Sequence, residues 1–489
     1  MKSMTTMRLS RRQILMGLLA GGAGALPLSS LAGGARQPVI LWRNGWNVNN
    51  IGDIGHVPGA LALLRHYLPE ARVILWAHND LVIRNPIAAM GNLADGALDA
   101  GTVSRKIYPQ LQVVTGATSA DGKGDNAALE AAIAEADIMV IGSGAGILEA
   151  AALLRFKQRT GKPIGMFGIT TDSFNFTNFH DGERSADVQA LRAASFVYTR
   201  DQTSLRLIKG EDADGPDGAS LDRPETPVNE AINRKPHGLD LTGVRASFVP
   251  DTTFAFPGRD AARGYAFMRA NGLESGKFIC VVPRHRWSPN GSPTRQGDSR
   301  EAYNALYLEQ DCAKLRSAIV AYVRSTGNKV ALVPETVYVV RQLDAMLKDG
   351  LPADVAAKVV TRADYWLPDE AASVFSHAQA VVSVENHSPI IAAAVGTPFV
   401  MVHQPEDSFK GDMFADIGLG AWYIQDINRA GGEDVAKVLM AIVNDLPRAR
   451  AKLAGAMRLV EQRQQVGMLQ LRSLLGLGRS HARRYSTPS

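Results

Sequence analysis

The sequence predicts an α/β protein built from two doubly wound sheets of parallel strands, followed by helices at the C-terminus. Three observations support this class. Short apolar runs typical of buried strands alternate with longer helical patterns along most of the 489 residues. A polar segment rich in Asp, Pro, Gly and Glu interrupts the alternation at 211–238, which indicates an exposed loop. A second series of strand-like runs begins after it, so two sheets fit the pattern better than one.

In the first half, strands are predicted where apolar residues cluster between helical stretches. They are 39–42, 73–77, 111–115, 138–141, 163–168 and 196–199. Clear helical stretches lie at 59–67, 126–136 and 147–158. We therefore predict an N-terminal domain over 36–256, with the loop at 211–238 inserted in it.

The second half repeats the alternation after 248–251 and a turn at Pro257 and Gly258. Its strands are predicted at 278–282, 330–333, 359–361, 380–384 and 399–402. This indicates a C-terminal domain over 257–430. Residues 431–477 have a helical pattern and are expected to pack across the two domains, and 478–489 form a short basic tail.

The first 35 residues predict an export signal of the twin-arginine type. Arg11 and Arg12 precede a mildly apolar, Gly/Ala-rich stretch, and small residues before position 35 suit cleavage. The alternative is an uncleaved membrane anchor, which the glycine content and Pro27 disfavour. The expected partner is the twin-arginine export machinery, and the expected location is periplasmic or extracellular, with no stable transmembrane segment after cleavage.

Charge and cysteine content exclude several classes of protein. Lys2, Arg8, Arg11 and Arg12 carry four of the five net positive charges, so the rest of the chain is nearly neutral and gives no reason to expect nucleic-acid binding. The two cysteines fall in a predicted strand and a predicted helix, which indicates small core residues. No metal-ligand spacing occurs, so no metal site is predicted.

The most informative segment is 381–400, whose pattern predicts a strand, a turn, a helix and another strand. His387 stands at the turn, where Ser388 can cap the helix and Pro389 suits its first turn. Ligands bind at this edge of parallel sheets, so His387 is predicted to face a cleft. Along an extended chain Glu385 points to the same side, which predicts a hydrogen bond between the two side chains. The alternative is that His387 only fills the turn.

Three other places are candidates for ligand contact. Arg284, His285 and Arg286 directly follow the strand at 278–282 and are predicted to bind a phosphate or carboxylate group; the alternative is a solvated basic loop. The glycine-rich loop at 142–146 can bring backbone N–H groups to a ligand, or can simply permit tight packing. Asp53 can bind a sugar hydroxyl or cap a helix.

Six motifs occur in order along nearly the whole mature chain. They are Asn50-Ile51-Gly52-Asp53, Asp137 to Gly146, Arg200-Asp201-Gln202-Thr203-Ser204, Pro250-Asp251, Pro283-Arg284, and Glu385-Asn386-His387 with Gly396-Thr397-Pro398. Together they resemble the polysaccharide pyruvyl transferase family. The last motif corresponds to the family's Arg-x-His, with Glu385 in place of the arginine.

The resemblance implies a GT-B-like fold, with two Rossmann-like domains that face a cleft. It also implies transfer of a pyruvyl group from phosphoenolpyruvate to a hydroxyl pair of an envelope or extracellular polysaccharide or oligosaccharide, without a metal or other cofactor. In this interpretation His387 and Glu385 are catalytic, and Asn50, Gly144, Gly146 and Ser388 join the substrate-binding candidates.

Export would separate the protein from phosphoenolpyruvate, which is a cytoplasmic metabolite. Two alternatives to pyruvyl transfer therefore stay open. One is a GT-B-type glycosyltransferase that uses another donor. The other is a noncatalytic exported glycan-binding protein derived from a transferase.

Overall fold

A computed structural model of the chain describes residues 36–78, 101–171, 185–211, 239–289, 297–407 and 409–478. The expected signal at 1–35, the interior of the predicted loop at 212–238 and the basic tail at 479–489 lie outside these ranges. The domain boundaries predicted at 256 and 430 stay predictions.

The N-terminal sheet contains seven parallel strands. These are β1 (Val39–Asn44), β2 (Arg72–Ala77), β3 (Gln112–Val114), β4 (Ile138–Ile141), β5 (Ile164–Ile169), β6 (Phe196–Thr199) and β7 (Ala246–Phe248). Their order in the sheet is β3-β2-β1-β4-β5-β6-β7. The helices of this half are α1 (Ile51–Tyr67), α2 (Thr102–Ile107), α3 (Ala127–Glu135), α4 (Ala150–Thr160), α5 (Ala186–Ala193) and α6 (Gln202–Ile208). Every residue of β1, β4 and β5 is buried, as expected for strands covered on both faces.

The C-terminal sheet contains six parallel strands. These are β8 (Phe278–Val282), β9 (Lys329–Leu332), β10 (Val359–Thr361), β11 (Val381–Ser383), β12 (Phe399–Val402) and β13 (Tyr423–Ile424). Their order is β10-β9-β8-β11-β12-β13. The helices are α7 (Ala261–Ala270), α8 (Arg300–Thr326), α9 (Ala353–Ala356), α10 (Pro368–Phe375), α11 (His387–Ala394), α12 (Asp412–Asp416), α13 (Gly432–Asn444) and α14 (Leu446–Leu474). Short 3₁₀ helices occur at Thr252–Ala255, Val337–Gln342, Pro405–Asp407 and Gly420–Trp422, and a π-helical turn at Asp344–Lys348.

The predicted α/β class with two sheets is confirmed, and most predicted strands are present. Strand β7 was not among the predicted strands, and it ends at Phe248. Asp251 caps the 3₁₀ helix that follows, by accepting a hydrogen bond from the backbone N–H of Thr253. Strand β13 has two residues and was not predicted, since so short a run has no readable period. Both cysteines are buried and free, as predicted.

Glycines in α1 allow this helix to approach two other segments closely. A Cβ atom on Gly59 would lie 2.1 Å from the carbonyl oxygen of Thr252, and one on Gly52 would lie 1.9 Å from Cγ of His387. Glycine within a helix usually destabilises it by about 0.5–1 kcal/mol relative to alanine. Here it permits the start of α1, the 3₁₀ helix at Thr252–Ala255 and the start of α11 to meet.

Backbone hydrogen bonds join the start of α1 to the segment that follows β9. Ile51 donates to the carbonyl of Glu335 at 3.0 Å, and Val337 donates to the carbonyl of Asn49 at 2.9 Å. From residue 38 onward the chain forms one compact unit. The two sheets are therefore held in a defined relation by the same segments that carry the predicted site residues.

The last helix, α14, contacts both halves. Its residues Leu453 and Val460 pack in the core around the C-terminal sheet, and Met468 and Leu471 pack against the N-terminal sheet. Between them, the Gln464 side chain donates to the backbone carbonyl of Asp251 at 2.8 Å. This is the packing expected for the C-terminal helices. Among the helices that the structure describes, none is long and apolar enough to cross a membrane.

Candidate functional site

A polar cavity of about 190 Å³ lies where the carboxyl ends of the two sheets meet. Its walls come from segments that follow β1, β4 and β6 in the first sheet and β8, β9, β11 and β12 in the second. The lining residues are Asn47, Asn50, Asp53, His56, Ala145, Arg200, Arg284, Ser288, Thr336, Tyr338, Glu385, Asn386, His387, Asp407 and Lys410. Ligands of open α/β sheets bind at this edge, so we take the cavity as the candidate functional site.

Five of the ten predicted site residues line this cavity. They are Asn50, Asp53, Arg284, Glu385 and His387. Asn50 also caps α1, because its side-chain oxygen accepts a hydrogen bond from the N–H of Gly52 at 2.6 Å. Asp53 lies within the first turn of α1 and is not its cap, so its carboxylate is available to the cavity.

Arg286 lies away from the cavity, although it was predicted to bind an anion. Its guanidinium donates to both carboxylate oxygens of Asp311 at 2.9 and 2.8 Å and to Glu406 at 3.1 Å, and its side chain is buried. The structure therefore gives Arg286 a structural role instead of the predicted anion contact. His285 also does not line the cavity: its Nε2 lies 3.0 Å from the side-chain oxygen of Gln342, and burial lowers its pKa.

The glycine-rich loop after β4 contributes Ala145 to the cavity. The two residues predicted from this loop, Gly144 and Gly146, do not line it. A Cβ atom on Gly144 would lie 2.8 Å from Nε1 of Trp46, so close packing requires glycine there. Gly146 has a φ of 152°, in the region that favours glycine. Local packing, the alternative interpretation, accounts for Gly144, and the backbone conformation accounts for Gly146.

Ser388 does not cap α11, which begins at His387, two residues before the start that a cap at Ser388 would give. The Ser388 backbone N–H and hydroxyl both donate to Oε2 of Glu335, at 2.6 and 2.7 Å. Glu335 is fully buried, and its Oε1 lies 3.4 Å from Nδ1 of His387. A carboxylate from the segment after β9 therefore supplies the cap and orients the imidazole.

The predicted hydrogen bond between Glu385 and His387 is wrong, because the chain is not extended there. The Ser383 hydroxyl accepts from the N–H of Glu385 and donates to its carbonyl, and Asn386 has helical backbone angles. Alternation of side chains therefore ends at Ser383. Glu385 faces Arg284 instead, with its Oε1 3.4 Å from the guanidinium Nε.

Each of the cations that line the cavity has a carboxylate neighbour. Arg284 contacts Asp407 as well as Glu385, and the Lys410 ammonium lies 3.2 Å from Asp407. Arg200 is paired at 2.8 Å with the buried Asp251. Burial raises the pKa of Glu385 to about 8 and lowers the pKa of Lys410 to about 8, so burial favours the neutral form of each.

Sequence reasoning missed His56 as a site residue, and noted Asp251 only as part of a motif. Nε2 of His56 lies 2.9 Å from Nε2 of His387 and 3.4 Å from Oδ2 of Asp251. Burial, with a smaller effect of His56, lowers the pKa of His387 to about 3, so its imidazole is neutral at physiological pH. His56 is three residues after Asp53 on one face of α1, and this spacing was the available signal. Donor atoms of His56, Asp251 and His387 lie within 4.8 Å of one another and could hold a metal ion.

Comparisons with known proteins bear on the fold. No family model matches the sequence, and no curated protein matches it. Among solved structures, S. aureus MnaA with UDP gives a TM-score of 0.51 at 8% identity, covering 92% of this chain and 100% of that chain. A glycosyltransferase from Rickettsia africae ESF-5 gives 0.49 at 10% identity, covering 90% and 99%. Anabaena Alr3699/HepE with UDP and glucose gives 0.47 at 12% identity, covering 89% and 99%. The predicted GT-B-like fold, with two Rossmann-like domains, is confirmed.

Proposed function

We propose that the protein is a transferase that binds a carbohydrate in the cavity and transfers a group of the pyruvyl type to its hydroxyls. The observation that carries this proposal is the cavity itself, formed at the carboxyl ends of both sheets and lined by carboxylates, amides and imidazoles. Such groups hydrogen-bond to sugar hydroxyls as donors and acceptors. An exported location, predicted from residues 1–35, would direct the activity to an envelope or extracellular glycan.

Transfer to a sugar hydroxyl needs a group that takes up its proton and a group that supplies one. In pyruvyl transfer, two hydroxyl oxygens bond to the central carbon of phosphoenolpyruvate, while its C=C double bond becomes single and its C–O bond to phosphate breaks. One of the two hydroxyl protons is balanced by the proton that the methylene carbon gains, and the other leaves with the phosphate. Asp53, Glu385 and His387 line one cavity and have the chemistry for these proton transfers. Asn50 and Asp53 lie at the start of α1, and Glu385 comes from the other half, so an acceptor sugar would lie between the two halves.

The pairing of cations favours a second candidate function. Phosphoenolpyruvate carries a phosphate and a carboxylate, which require cationic or N–H donors. Arg284 and Lys410 already contact Asp407, and Glu385 replaces the arginine of the related motif. A glycan-binding protein, or a transferase with another donor, would use the same cavity without this requirement.

A ligand screen on the mature protein, residues 36–489, separates these functions. Thermal shifts would be measured with oligosaccharides, phosphoenolpyruvate and nucleotide sugars, together with phosphate release from phosphoenolpyruvate. Glycan-dependent phosphate release would support pyruvyl transfer. Stabilisation by glycans without that release would support the second candidate. If no glycan binds, both functions are excluded.

Asp53→Asn tests whether the cavity is the place of binding. Loss of a hydrogen bond to a charged group corresponds to about 1.5–3 kcal/mol, or a roughly 10- to 100-fold weaker affinity for the glycan. Asp354→Asn is the matched control, because Asp354 is an exposed carboxylate on α9. Equal affinities of the two variants would place the binding site elsewhere.

Glu385→Arg and Arg284→Ala test the donor. If Glu385→Arg creates binding of phosphoenolpyruvate that the parent lacks, the natural protein uses another donor or none. If the parent binds phosphoenolpyruvate, Arg284→Ala should weaken that binding. Unchanged affinity for every anionic ligand would contradict the predicted role of Arg284.

A further inference from the structure

We propose that His56, His387 and Asp251 form a binding site for a divalent transition-metal ion of the zinc type, at the inner wall of the cavity. The three residues come from α1, from the start of α11 and from the turn after β7. The three residues are buried, with exposed fractions of 1% for His56, 9% for His387 and 0% for Asp251. The proposal departs from the metal-free reaction implied by the sequence resemblance, and it does not depend on which group, if any, the protein transfers.

The distances between the donor atoms suit a shared cation. The two Nε2 atoms are 2.9 Å apart, and Oδ2 of Asp251 is 3.4 Å from Nε2 of His56. Zinc binds imidazole nitrogen at about 2.0–2.1 Å, so two ligands at a right angle lie about 2.9 Å apart and two at the tetrahedral angle about 3.3 Å apart. These two separations match the expected values, and all three donor atoms lie within 4.8 Å of one another, so His56 is placed to share an ion with each of the other two residues.

Two buried polar atoms beside the imidazole pair, Oε1 of Glu335 and Nδ1 of His56, have no hydrogen-bond partner. Oε2 of Glu335 accepts a hydrogen bond from Ser388. The other oxygen, Oε1, is buried without a hydrogen-bond partner, and Nδ1 of His387 lies 3.4 Å from it. A proton on that Nδ1 leaves a lone pair on Nε2, which faces His56. If His56 then donates from its own Nε2, its buried Nδ1 becomes an acceptor with no hydrogen-bond donor. With a metal ion, both Nε2 atoms are ligands and both Nδ1 atoms carry protons.

A carboxylate lies on the Nδ1 side of each imidazole, where metal-binding histidines usually have an acceptor. Glu335 lies beside Nδ1 of His387, and Oδ1 of Asp53 lies 4.0 Å from Nδ1 of His56. Arg200 also binds Oδ2 of Asp251 at 2.8 Å. A carboxylate oxygen has two lone pairs, so Oδ2 can bind an ion as well as Arg200. Three carboxylates, those of Asp251, Glu335 and Asp53, lie around the imidazole pair together with the one guanidinium of Arg200.

One side of the site is open to the cavity. His56 and His387 both line it, while Asp251 lies behind them. Catalytic zinc sites have three protein ligands and an open position for water or substrate. A metal ion held here would therefore present its open position to whatever occupies the cavity.

The experiment is a zinc titration of the mature protein after its metal has been removed by chelation. We expect one zinc ion per chain, measured by calorimetry and by metal analysis after dialysis. His56→Gln and His387→Gln should each weaken binding at least about 10-fold, and Glu335→Gln about 10- to 100-fold, since it removes an outer carboxylate. His377→Gln is the control, because His377 contacts Ser275 and Tyr265 and should bind zinc as the parent does.

A second measurement needs no variant and so does not depend on whether the variants fold. Co²⁺ bound by two imidazoles through Nε2 should give two strongly shifted, solvent-exchangeable proton signals from the Nδ1–H groups. Absence of stoichiometric zinc binding to the parent would overturn the proposal, and would leave the histidines as a hydrogen-bonded pair. Equal zinc affinity of the parent and the folded His56→Gln/His387→Gln double variant would overturn it as well.

Discussion

Replacing Gly52 with alanine tests whether close contact between α1 and α11 holds His387 in place. The new Cβ would lie 1.9 Å from Cγ and 2.1 Å from Nδ1 of His387, whereas carbon atoms pack at about 3.5–4.0 Å. The ring must therefore move by roughly 1.5 Å, which breaks its contact with His56. Overpacking costs about 1–3 kcal/mol. A lost hydrogen bond adds about 1 kcal/mol, and the helix propensity of alanine returns up to about 1 kcal/mol. We expect the free energy of unfolding to fall by about 1–3 kcal/mol.

Gly455→Ala is the matched control, because Gly455 also lies in a helix, α14. Its new Cβ would meet nothing closer than 3.7 Å, so this substitution should stabilise the protein by about 0.5–1 kcal/mol. Urea titrations followed by circular dichroism measure both changes under identical conditions. If Gly52→Ala is as stable as Gly455→Ala, the close packing of α1 on His387 is refuted.

Two further predictions concern buried charges. Arg286→Met removes the cation beside two buried carboxylates, Asp311 and Glu406, and should destabilise the protein by about 3–5 kcal/mol. Arg324→Met removes an exposed ion pair and should cost less than about 1 kcal/mol. Similar urea midpoints for the two variants would contradict this prediction. Burial raises the pKa of Asp416 to about 7, above its ordinary 3.8. Between these two values the folded protein holds a proton that the unfolded chain has released. This contribution to stability is lost as the pH rises from about 4 through 7. Asp416→Asn keeps an acceptor for the N–H of Gln202 and should gain stability relative to the parent between pH 5 and pH 8; a constant difference in the free energy of unfolding over that range would show that Asp416 does not titrate as expected.

Much of the fold could be predicted from the sequence, because parallel strands that are covered on both faces appear in it as continuous apolar runs. The bounds of β4, β6, β8, β10 and β12 agree with the prediction. Periodicity did not find β7 and β13, which have three and two residues. Runs this short show little pattern, and it is their pairing with β6 and β12 that identifies them as strands.

The candidate site was readable only in part. Residues directly after predicted strands, such as Arg284 and His387, reach the cavity because strand ends meet at one edge of a sheet. Arg286 occupies a similar position in the sequence and yet binds Asp311, a residue of α8. Nothing in a strand-end pattern distinguishes a side chain that faces the cavity from one that faces a neighbouring helix.

The sequence by itself determined the two parallel sheets and the edge at which His387 stands, because both follow from local patterns of apolar and turn residues. Only the tertiary structure decided the partners of His387. Glu335, His56 and Asp251 are each far from it in the chain, and they meet it because Gly52 permits α1 to approach α11 and because the segment after β9 lies beside both. Contacts of this kind are set by how helices and strand ends from two domains pack together, and no local pattern of residues encodes them.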